Sequence, residues 1–590
     1  MKKRNLLAIL SMPFRYSPIS AVIGIIYTII SALTPAAKTL ATALFIDTAI
    51  SIVRDGKDQS LIIMPILFLT ALIAYDWIAP NAHNLNAKHI ELKLRQNLRV
   101  ELVRKRALLE YRHIEDSDSW DLTTRVCGEP EVKVKDAYLN TLLALQFVIS
   151  TAGIMAILMT YAWWVGILLV ACCTPIFYLS LKSGKKQYDA EKEASKFDRR
   201  HKYLFGVLSS REYSDERALF GYTDKLINTY SEFYDKARKI RVRMYMKWMS
   251  RSKAPAVLIG IVMTGILFAL LLPVIEGSMS PGIYIALVGA VNTMTYQFSW
   301  QLSSITDSLA KANEYMKDYF EFLSLSETEN ADAKPAWGVS FDTLEFRNVT
   351  FSYPGIETKI LSNLSFIIEN GKHYAFVGAN GAGKTTITKL ICGLYDNYEG
   401  SILVDGVDIK SFSQEKRKAL VSCVFQDFAR YQISIYDNVA MGCIEADSSD
   451  ERVLRSAKAT MLTDVSASLP EGLHTKLGKI YDDGVDISGG QWQRIALARA
   501  TASPAPLRIL DEPTAALDPI AESEVYAQFE QLSRGVTTIF ISHRLASAKL
   551  ADWIYVIDDG TVVETGCHEE LMALEGLYAS MFDSQRGWYV

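Results

Sequence analysis

The sequence is short of cysteine and of net charge for its length, and both shortages exclude classes of protein. It contains seven cysteines in 590 residues, and no two of them form a CxxC pair. This spacing argues against a disulfide framework or a zinc site, and we expect buried, reduced thiols. The formal net charge is only -4, without the basic clustering of a nucleic-acid-binding surface, so no nucleic-acid partner is expected.

Long apolar runs are absent from the second half of the chain but fill the first half. A chain of 590 residues is too long for one core, so at least two domains are expected. We predict an all-α transmembrane domain over 1–322, a linker over 323–341 and an α/β domain over 342–590. Six stretches are long and apolar enough to cross a bilayer as helices: 19–50, 60–82, 137–161, 163–182, 254–275 and 281–303.

The loops between these stretches predict the orientation in the membrane. The connections 84–135 and 183–253 are long and rich in Lys and Arg, whereas the others are short. By the positive-inside rule, the N-terminus, both long loops and the second domain lie in the cytoplasm. We expect the membrane helices to continue into these loops and to turn near 111–118 and 211–221. The basic start at 1–4 lacks a signal-peptide pattern and predicts an interfacial helix before the first span.

Three charged residues, Lys38, Asp47 and Asp76, fall inside the first two predicted spans. A charge in hydrocarbon is costly, so each of them needs a water-filled cavity or a partner. Two interpretations stay open for Lys38 and Asp76. Either both line a translocation cavity, or Lys38 reaches the membrane surface while Asp76 pairs locally. Asp47 is expected at the outer interface.

A phosphate-binding loop follows the apolar run 374–377. It reads GANGAGKT over 378–385, and a helix with an apolar face comes after it. The glycines let backbone N–H groups point at phosphate oxygens, and the start of the helix adds its positive end. Lys384 is expected to neutralise the β- and γ-phosphates of ATP, and Thr385 to bind Mg²⁺. The predicted nucleotide-binding residues of this segment are Gly378, Asn380, Gly381, Gly383, Lys384, Thr385 and Thr386.

A second strand, 507–510, ends in the two acids Asp511 and Glu512. Asp511 is expected to bind nucleotide-associated Mg²⁺, directly or through a water molecule, and Glu512 to act as the base for the attacking water. Arg508 interrupts this strand, and we expect its side chain to leave the sheet at an edge. Strands that alternate with helices predict an α/β domain with a largely parallel sheet.

The segment ISGGQ over 487–491 resembles the signature of ATP-binding-cassette (ABC) proteins, with Ile where Leu is commoner. The whole chain resembles an ABC exporter half-transporter, with the membrane domain first and the family motifs in order. The resemblance implies ATP and Mg²⁺ as cofactors and a head-to-tail dimer in which each signature closes over the partner's ATP. The signature residues implied to contact nucleotide are Ser488, Gly489, Gly490 and Gln491.

The same resemblance implies roles for residues that would mean little alone. Tyr353 resembles the aromatic residue that stacks on adenine, and Gln426 resembles the glutamine that senses Mg²⁺. His543 resembles the switch histidine at the γ-phosphate, so the implied catalytic residues are Glu512, His543 and Gln426. Residues 515–518 resemble the loop at the dimer seam.

The resemblance further implies a mechanism and a location. Segments 113–125 and 211–221 resemble the loop tips that couple ATP binding to the membrane helices. A homodimer in a bacterial inner membrane suffices, because the chain has both its own ATP residues and an intact signature. A heterodimer with a second half-transporter stays open.

The expected function is ATP-driven export, with a peptide or amphiphilic compound as cargo. The stretch 475–484, together with 491–494, is similar to exporters of modified bacterial peptides. No peptidase domain precedes the first span, so leader cleavage by this chain is not expected. The alternatives are a lipid flippase, an ATP-gated conductance or regulatory protein, and an importer, which ranks lowest. The sequence identifies neither the cargo nor the direction of transport beyond this resemblance.

Overall fold

A computed structural model describes residues 3–161, 163–164, 190, 193–210, 213–444, 449–512, 536–541 and 547–586. The chain divides into two compact units. Unit 1 contains Met1–Ala107 and Asp121–Leu325, and unit 2 contains Leu108–Trp120 and Ser326–Val590. The short segment Leu108–Trp120 is therefore separated in sequence from the rest of unit 2.

Long helices build the first part of the chain. In order they are α1 (Lys3–Tyr16), α2 (Pro18–Asp55), α3 (Ile63–Leu108), α4 (Tyr111–Glu115), α5 (Ser117–Cys127), α6 (Pro130–Tyr161), α7 (Ser214–Phe220), α8 (Thr223–Ala269), α9 (Leu271–Ile275), α10 (Pro281–Tyr296) and α11 (Leu302–Ser324). A π-helical turn, Gln297–Gln301, joins α10 to α11. The turn predicted near 111–118 is confirmed, since α3 ends at Leu108 and the short helix α4 follows. Of the turn predicted near 211–221, residues 211 and 212 lie outside the described residues, and the short helix α7 precedes α8, which begins at Thr223.

Three helical segments among the described residues are long and apolar enough to cross a membrane: Pro18–Asp55, Gln59–Leu108 and Pro130–Tyr161. They contain the first three predicted spans, so the long apolar helices expected there are confirmed. The predicted span 163–182 lies outside the described residues apart from its first two positions. The predicted spans 254–275 and 281–303 are helical and correspond to the end of α8 with α9, and to α10 with the π-turn.

Helix α2 shows how this unit is packed. Its buried residues are small, as at Ser20, Gly24 and Ala32, whereas Ile19 and Leu33 are exposed. In a bilayer, small residues let helices approach closely while branched apolar ones face lipid. Helix α2 therefore has a packing face of small residues and a lipid-compatible face.

The charged residues of the first two spans have partners. Lys38 on α2 forms an ion pair with Asp76 on α3. Asp47 accepts hydrogen bonds from the Gly282 N–H at 2.9 Å and the Ser280 hydroxyl at 2.5 Å. Asp47 thereby satisfies the first turn of α10, where backbone donors have no partner within the helix. Local pairing of Asp76 is confirmed, while a role in a cavity stays a prediction.

The contact between Asp47 and Gly282 predicts a sensitive position. A Cβ atom on Gly282 would lie 2.4 Å from Asp47 Oδ1 and 2.6 Å from the Ala43 carbonyl oxygen. We expect Gly282→Ala to destabilise the protein by about 1–3 kcal/mol, the usual cost of overpacking. Thermal unfolding of the full chain in detergent measures this. Gly289→Ala on the same helix is the control, because a Cβ there has no neighbour within 4 Å among the described residues. An equal loss in both variants would contradict the prediction.

The described residues of unit 2 form two sheets. The strands are β1 (Thr343–Phe351), β2 (Leu361–Glu369), β3 (His373–Val377), β4 (Glu399–Val404), β5 (Val407–Asp408), β6 (Val421–Val424), β7 (Leu507–Asp511), β8 (Thr537–Ile541), β9 (Trp553–Asp558) and β10 (Thr561–Gly566). The first sheet is antiparallel, in the order β2-β1-β4-β5. The second has the order β10-β9-β3-β8-β7-β6 and is parallel except for β10. The parallel sheet was predicted, and the antiparallel one was not.

Helices cover the parallel sheet and place the functional loops. The helices of unit 2 after α4 are α12 (Lys384–Ile391), α13 (Gln414–Leu420), α14 (Ile435–Ala440), α15 (Ser449–Ala459), α16 (Leu462–Ala467), α17 (Gly489–Ala502), α18 (His568–Ala573) and α19 (Leu577–Arg586). Helix α17 packs its Ala496, Leu497 and Ala500 against Leu510 of β7. Parallel strands all direct their carboxyl ends to one edge, where binding loops of such sheets lie.

The prediction for Arg508 is wrong. Strand β7 lies between β6 and β8, so Arg508 is inside the sheet, and only 4% of its surface is exposed. The expectation for cysteines is met in part: those in the described residues are free thiols, of which Cys443 is buried and the others are partly buried.

Candidate functional site

The phosphate loop joins β3 to α12. Gly378 has φ 157°, and a Cβ atom there would lie 2.0 Å from the Ile557 carbonyl oxygen. Gly383 has φ 101°, a left-handed conformation that suits glycine. The apolar residues Ile387, Leu390 and Ile391 anchor the following helix in the core. The loop is therefore held by close backbone contacts before and after it.

Lys384 lies at the first turn of this helix and is 5% exposed. Its Nζ donates to the carbonyl oxygens of Gly378 and Ala379, both at 2.8 Å. Burial lowers its pKa, although the charges of Asp511 and Glu512 oppose this effect. The ammonium group is thus held inside the loop, where phosphate oxygens could replace these carbonyl oxygens as its partners.

Asp511, the last residue of β7, supplies the acidic side of the site. The Thr385 hydroxyl donates to Asp511 Oδ2 at 3.0 Å. Burial raises the pKa of Asp511 to about 6, the nearby charge of Glu512 adds to this, and the Thr385 hydrogen bond and Lys384 oppose it. A hydroxyl and a carboxylate are the hard oxygen donors that Mg²⁺ prefers. These residues therefore fit the predicted metal.

Glu512 follows Asp511 and has a left-handed backbone with φ 49°. Its N–H donates to the Ile541 carbonyl oxygen at 2.9 Å, and its own carbonyl oxygen accepts from Gln493 Nε2 at 3.2 Å. Gln426 Nε2 donates to Glu512 Oε2 at 2.9 Å. The structure thus brings the two predicted residues Glu512 and Gln426 together. The left-handed backbone of Glu512 costs energy, and the hydrogen bonds of its N–H and carbonyl groups hold it in place.

Tyr353 lies beside the phosphate-loop helix. Its hydroxyl is 3.0 Å from Thr386 Oγ1, and Lys389 Nζ lies 5.2 Å from its ring centre. The ring also makes an edge contact with Tyr395, with centres 5.6 Å apart. Tyr353, the residue predicted to stack on adenine, is therefore held against α12 by contacts with two of its side chains.

Helix α4 joins this cluster within unit 2. Glu115 accepts hydrogen bonds from Lys389 Nζ at 2.5 Å and from the Tyr395 hydroxyl, and Tyr111 makes an edge contact with Tyr395 at 5.5 Å between centres. Burial alone would raise the pKa of Glu115, but these hydrogen bonds outweigh it and lower the pKa. The segment Leu108–Trp120, which includes the start of the predicted coupling region, thus contacts the neighbours of Tyr353.

We expect Glu115→Ala to loosen this segment. The change leaves the Lys389 ammonium group without its acceptor, and for a partly exposed pair the loss is about 1 kcal/mol. Hydrogen exchange of residues 108–120 in the full chain should then speed up by about fivefold. Glu110→Ala in the same segment is the control, since its ion pair with Arg112 lies at the surface. Equal exchange in parent and Glu115→Ala would show that the contact does not hold the segment.

The signature residues start α17 and form a capping box. The Gln491 N–H donates to Ser488 Oγ at 3.3 Å, and the Ser488 N–H donates to Gln491 Oε1 at 2.9 Å. Ser488 and Gly489 are exposed and Gly490 is half-buried. The start of the helix is therefore ordered and open to solvent, as a surface for a partner's nucleotide requires.

Some predicted residues are not described, and other residues were missed. His543 and residues 515–518 lie outside the described residues. Gln493, which donates a hydrogen bond to the Glu512 carbonyl oxygen, was not predicted, although it lies two residues after the signature. Lys389 and Tyr395 were also missed, because only the fold brings them to Tyr353.

Residues 361–515 match the ABC transporter family. The chain is 30% identical to the subtilin transport ATP-binding protein SpaT of Bacillus subtilis over 541 residues. This alignment covers 91% of this chain and 87% of SpaT. The chain is an ABC transporter. The family membership predicted from the motifs is thus confirmed.

Other relatives and a solved structure agree with this assignment. The transporter is 28% identical to the ATP-dependent lipid A-core flippase of Methylobacillus flagellatus, over 88% of this chain and 86% of that protein. It is 31% identical to the flippase of Salmonella typhimurium, over 74% of each chain. A bacterial Atm1-family ABC exporter with ATP bound has the same fold, with a TM-score of 0.77 at 23% identity over 95% of this chain and 98% of that chain.

The family and the fold establish the general activity. The transporter uses ATP to drive transport across a membrane, with apolar helices in the first part and an α/β ATP-binding domain in the second. Its relatives include a subtilin transport protein and ATP-dependent lipid A-core flippases.

Proposed function

We propose that this transporter hydrolyses ATP and uses the energy to export a peptide or amphiphilic compound from a bacterial cell. The observation that carries the proposal is the pairing of Gln426 with Glu512 next to Asp511 and Thr385. A carboxylate placed beside a phosphate site can accept the proton of an attacking water. A cassette that served only as a switch would not need this group.

Each residue of the site has a separate task in this proposal. Lys384 binds the β- and γ-phosphates, and Tyr353 stacks on adenine. Glu512 takes the proton of the attacking water, and Gln426 holds the Glu512 carboxylate in place. Thr385 and Asp511 would hold Mg²⁺, with Gln426 nearby, and the ion supplies charge neutralisation on the phosphates. His543 stays a proposed contact to the γ-phosphate.

The transporter is proposed to work as a homodimer. The exposed start of α17, with Ser488 and Gly489, offers backbone N–H groups to the ATP of a second copy. ATP would then join two copies, and hydrolysis would release them. We further propose that the transporter lies in the inner membrane with its N-terminus and ATP-binding domain on the cytoplasmic side, because the two long loops have an excess of basic residues.

A peptide is the proposed cargo because the relative SpaT, named for subtilin transport, covers 91% of the chain. The predicted similarity of 475–484 and 491–494 to peptide exporters supports the same choice. A lipid cargo is the alternative, since the flippases match the chain at 28–31% identity.

Transport by purified protein in liposomes tests the proposal. ATP added outside drives only those copies whose ATP-binding domain faces outwards, so uptake into the liposome corresponds to export. We expect ATP-dependent uptake of labelled amphiphilic peptides by the parent and none by Glu512→Gln. Movement of a labelled lipid alone would support the flippase. An ATP-gated ion flux without cargo movement would contradict export.

A further inference from the structure

Arg508 carries a buried charge that the ATP site does not use. Its Nε and Nη1 atoms have no hydrogen-bond partner among the described residues. Burial lowers its pKa to about 10, which still leaves the guanidinium protonated at neutral pH. A buried unpaired cation costs several times the free energy of a typical hydrogen bond, so such groups are nearly always paired. Arg508 therefore requires a partner.

The neighbours of Arg508 in the sheet are also polar. Strand register places it between Ser422 of β6 and Thr538 of β8. Both are buried, and their hydroxyls donate to backbone carbonyl oxygens of Ala500 and Val536. A row of three polar side chains therefore crosses one face of the sheet near the amino ends of its strands. Two residues further along β7, Leu510 belongs to an apolar cluster, so the polar row interrupts the apolar packing of the sheet.

A cavity adjoins this row. It has a volume of about 230 Å³ and is lined by Arg508 of β7, Arg452, Arg455 and Ser456 of α15, and the loop after α17. Among the described lining residues three are arginines and none is acidic. Arg455 pairs with Glu451 of the same helix at 2.8 Å. The cavity therefore carries an excess of positive charge.

Hydroxyl donors complete the lining. The hydroxyl of Ser456 makes no hydrogen bond among the described residues, and that of Ser503 accepts one from the Ala505 N–H at 3.3 Å without donating. The Thr501 hydroxyl is already committed to the carbonyl oxygens of Leu497 and Ala498. Two hydroxyl protons and a buried guanidinium thus remain for a ligand.

We propose that this cavity is a second anion site of the transporter, built around Arg508 and suited to one phosphate-sized oxyanion. The planar fork of a guanidinium matches two oxygens of such an anion. A volume of about 230 Å³ is below the roughly 300–1,000 Å³ of pockets for organic ligands, so a free ion fits better than a whole nucleotide.

The site is distinct from the phosphate loop. Arg508 and Asp511 are on the same strand, three residues apart, which corresponds to about 10 Å. They lie towards opposite ends of β7, so an anion at Arg508 would not occupy the site of ATP. Both sites nevertheless share one buried strand.

Binding of inorganic phosphate to the full-length protein tests the proposal. The ATP sites are first saturated with Mg²⁺ and a non-hydrolysable ATP analogue, which fills all three phosphate positions, so that the phosphate loop does not contribute. We expect one phosphate to bind per chain and to raise the melting temperature by about 3 °C at tenfold excess over Kd, relative to chloride at equal ionic strength. Arg508→Met should weaken phosphate binding by about tenfold or more. The exposed Arg347→Gln is the control and should bind like the parent.

A second variant keeps the test decisive if Arg508→Met does not fold. Ser456→Asp places a carboxylate in the cavity, where it would pair with Arg508. We expect this variant to lose phosphate binding and to have a higher melting temperature without phosphate than the parent. Equal phosphate binding by parent and variants, or none by the parent, would overturn the proposal.

Competition identifies the source of the anion. Excess of the same analogue, added beyond saturation of the ATP sites, should not displace labelled phosphate if the site takes the free ion. Displacement by the analogue at similar concentrations would mean that the site takes the phosphates of a nucleotide. Neither result changes the role of Arg508.

Discussion

Glu512→Gln is expected to lower ATP turnover by about 10²–10⁴-fold while ATP still binds with near-parental affinity. The amide has almost the shape of the carboxylate but cannot accept the proton of the attacking water. Gln426 can still reach the side-chain oxygen at position 512, so the local geometry persists. Phosphate release by the purified protein measures turnover, and binding of radiolabelled ATP measures affinity.

The control for this variant addresses backbone strain. Glu575 also has a left-handed backbone, with φ 49°, but is elsewhere in unit 2. Glu575→Gln should retain parental turnover. If Glu512→Gln hydrolysed ATP at the parental rate, another residue would have to be the base and the proposed mechanism would be wrong.

Lys384→Met is expected to have the other large effect, on binding itself. The variant loses charge-assisted hydrogen bonds to phosphate, worth about 1.5–3 kcal/mol, so ATP should bind about 10–100-fold more weakly. Turnover should fall further, by about 10²-fold, because a cation next to the transferred group also stabilises the transition state. Thermal stabilisation by ATP and direct binding together measure the loss.

The exposed Lys372→Met provides the matched control, since it removes a lysine charge from the same unit at the surface. It should bind and hydrolyse ATP like the parent. Parental ATP affinity in Lys384→Met would contradict the assignment of the phosphate loop. The two large effects also separate: Glu512→Gln keeps binding and loses turnover, whereas Lys384→Met loses both.

The sequence was sufficient where function depends on contiguous residues. The glycines and Lys384 lie in one loop, and Asp511 and Glu512 are consecutive residues. Nucleotide binding could therefore be predicted from the order of residues. Apolar length likewise predicted the first three spans. These features are local, and no tertiary contact is needed to recognise them.

The sequence was insufficient where function depends on residues far apart in the chain. Glu115 and Lys389 are separated by 274 positions, and only the fold makes them an ion pair. Asp47 and Gly282 are 235 positions apart, and again only the fold joins them, here by a hydrogen bond from the Gly282 N–H. Arg508 was misjudged because the order of strands, which places β7 inside the sheet, cannot be deduced from one strand.

The placement of Leu108–Trp120 in unit 2 sets a condition for building chimaeras of this transporter. An exchange of ATP-binding domains that cuts only between Leu325 and Ser326 would leave α4 behind, with Glu115 facing a foreign surface. A graft that also carries residues 108–120 keeps Glu115 with its own Lys389 and Tyr395. The hybrid joined at three points should therefore retain cargo-stimulated ATP use, while the hybrid joined at one point loses it.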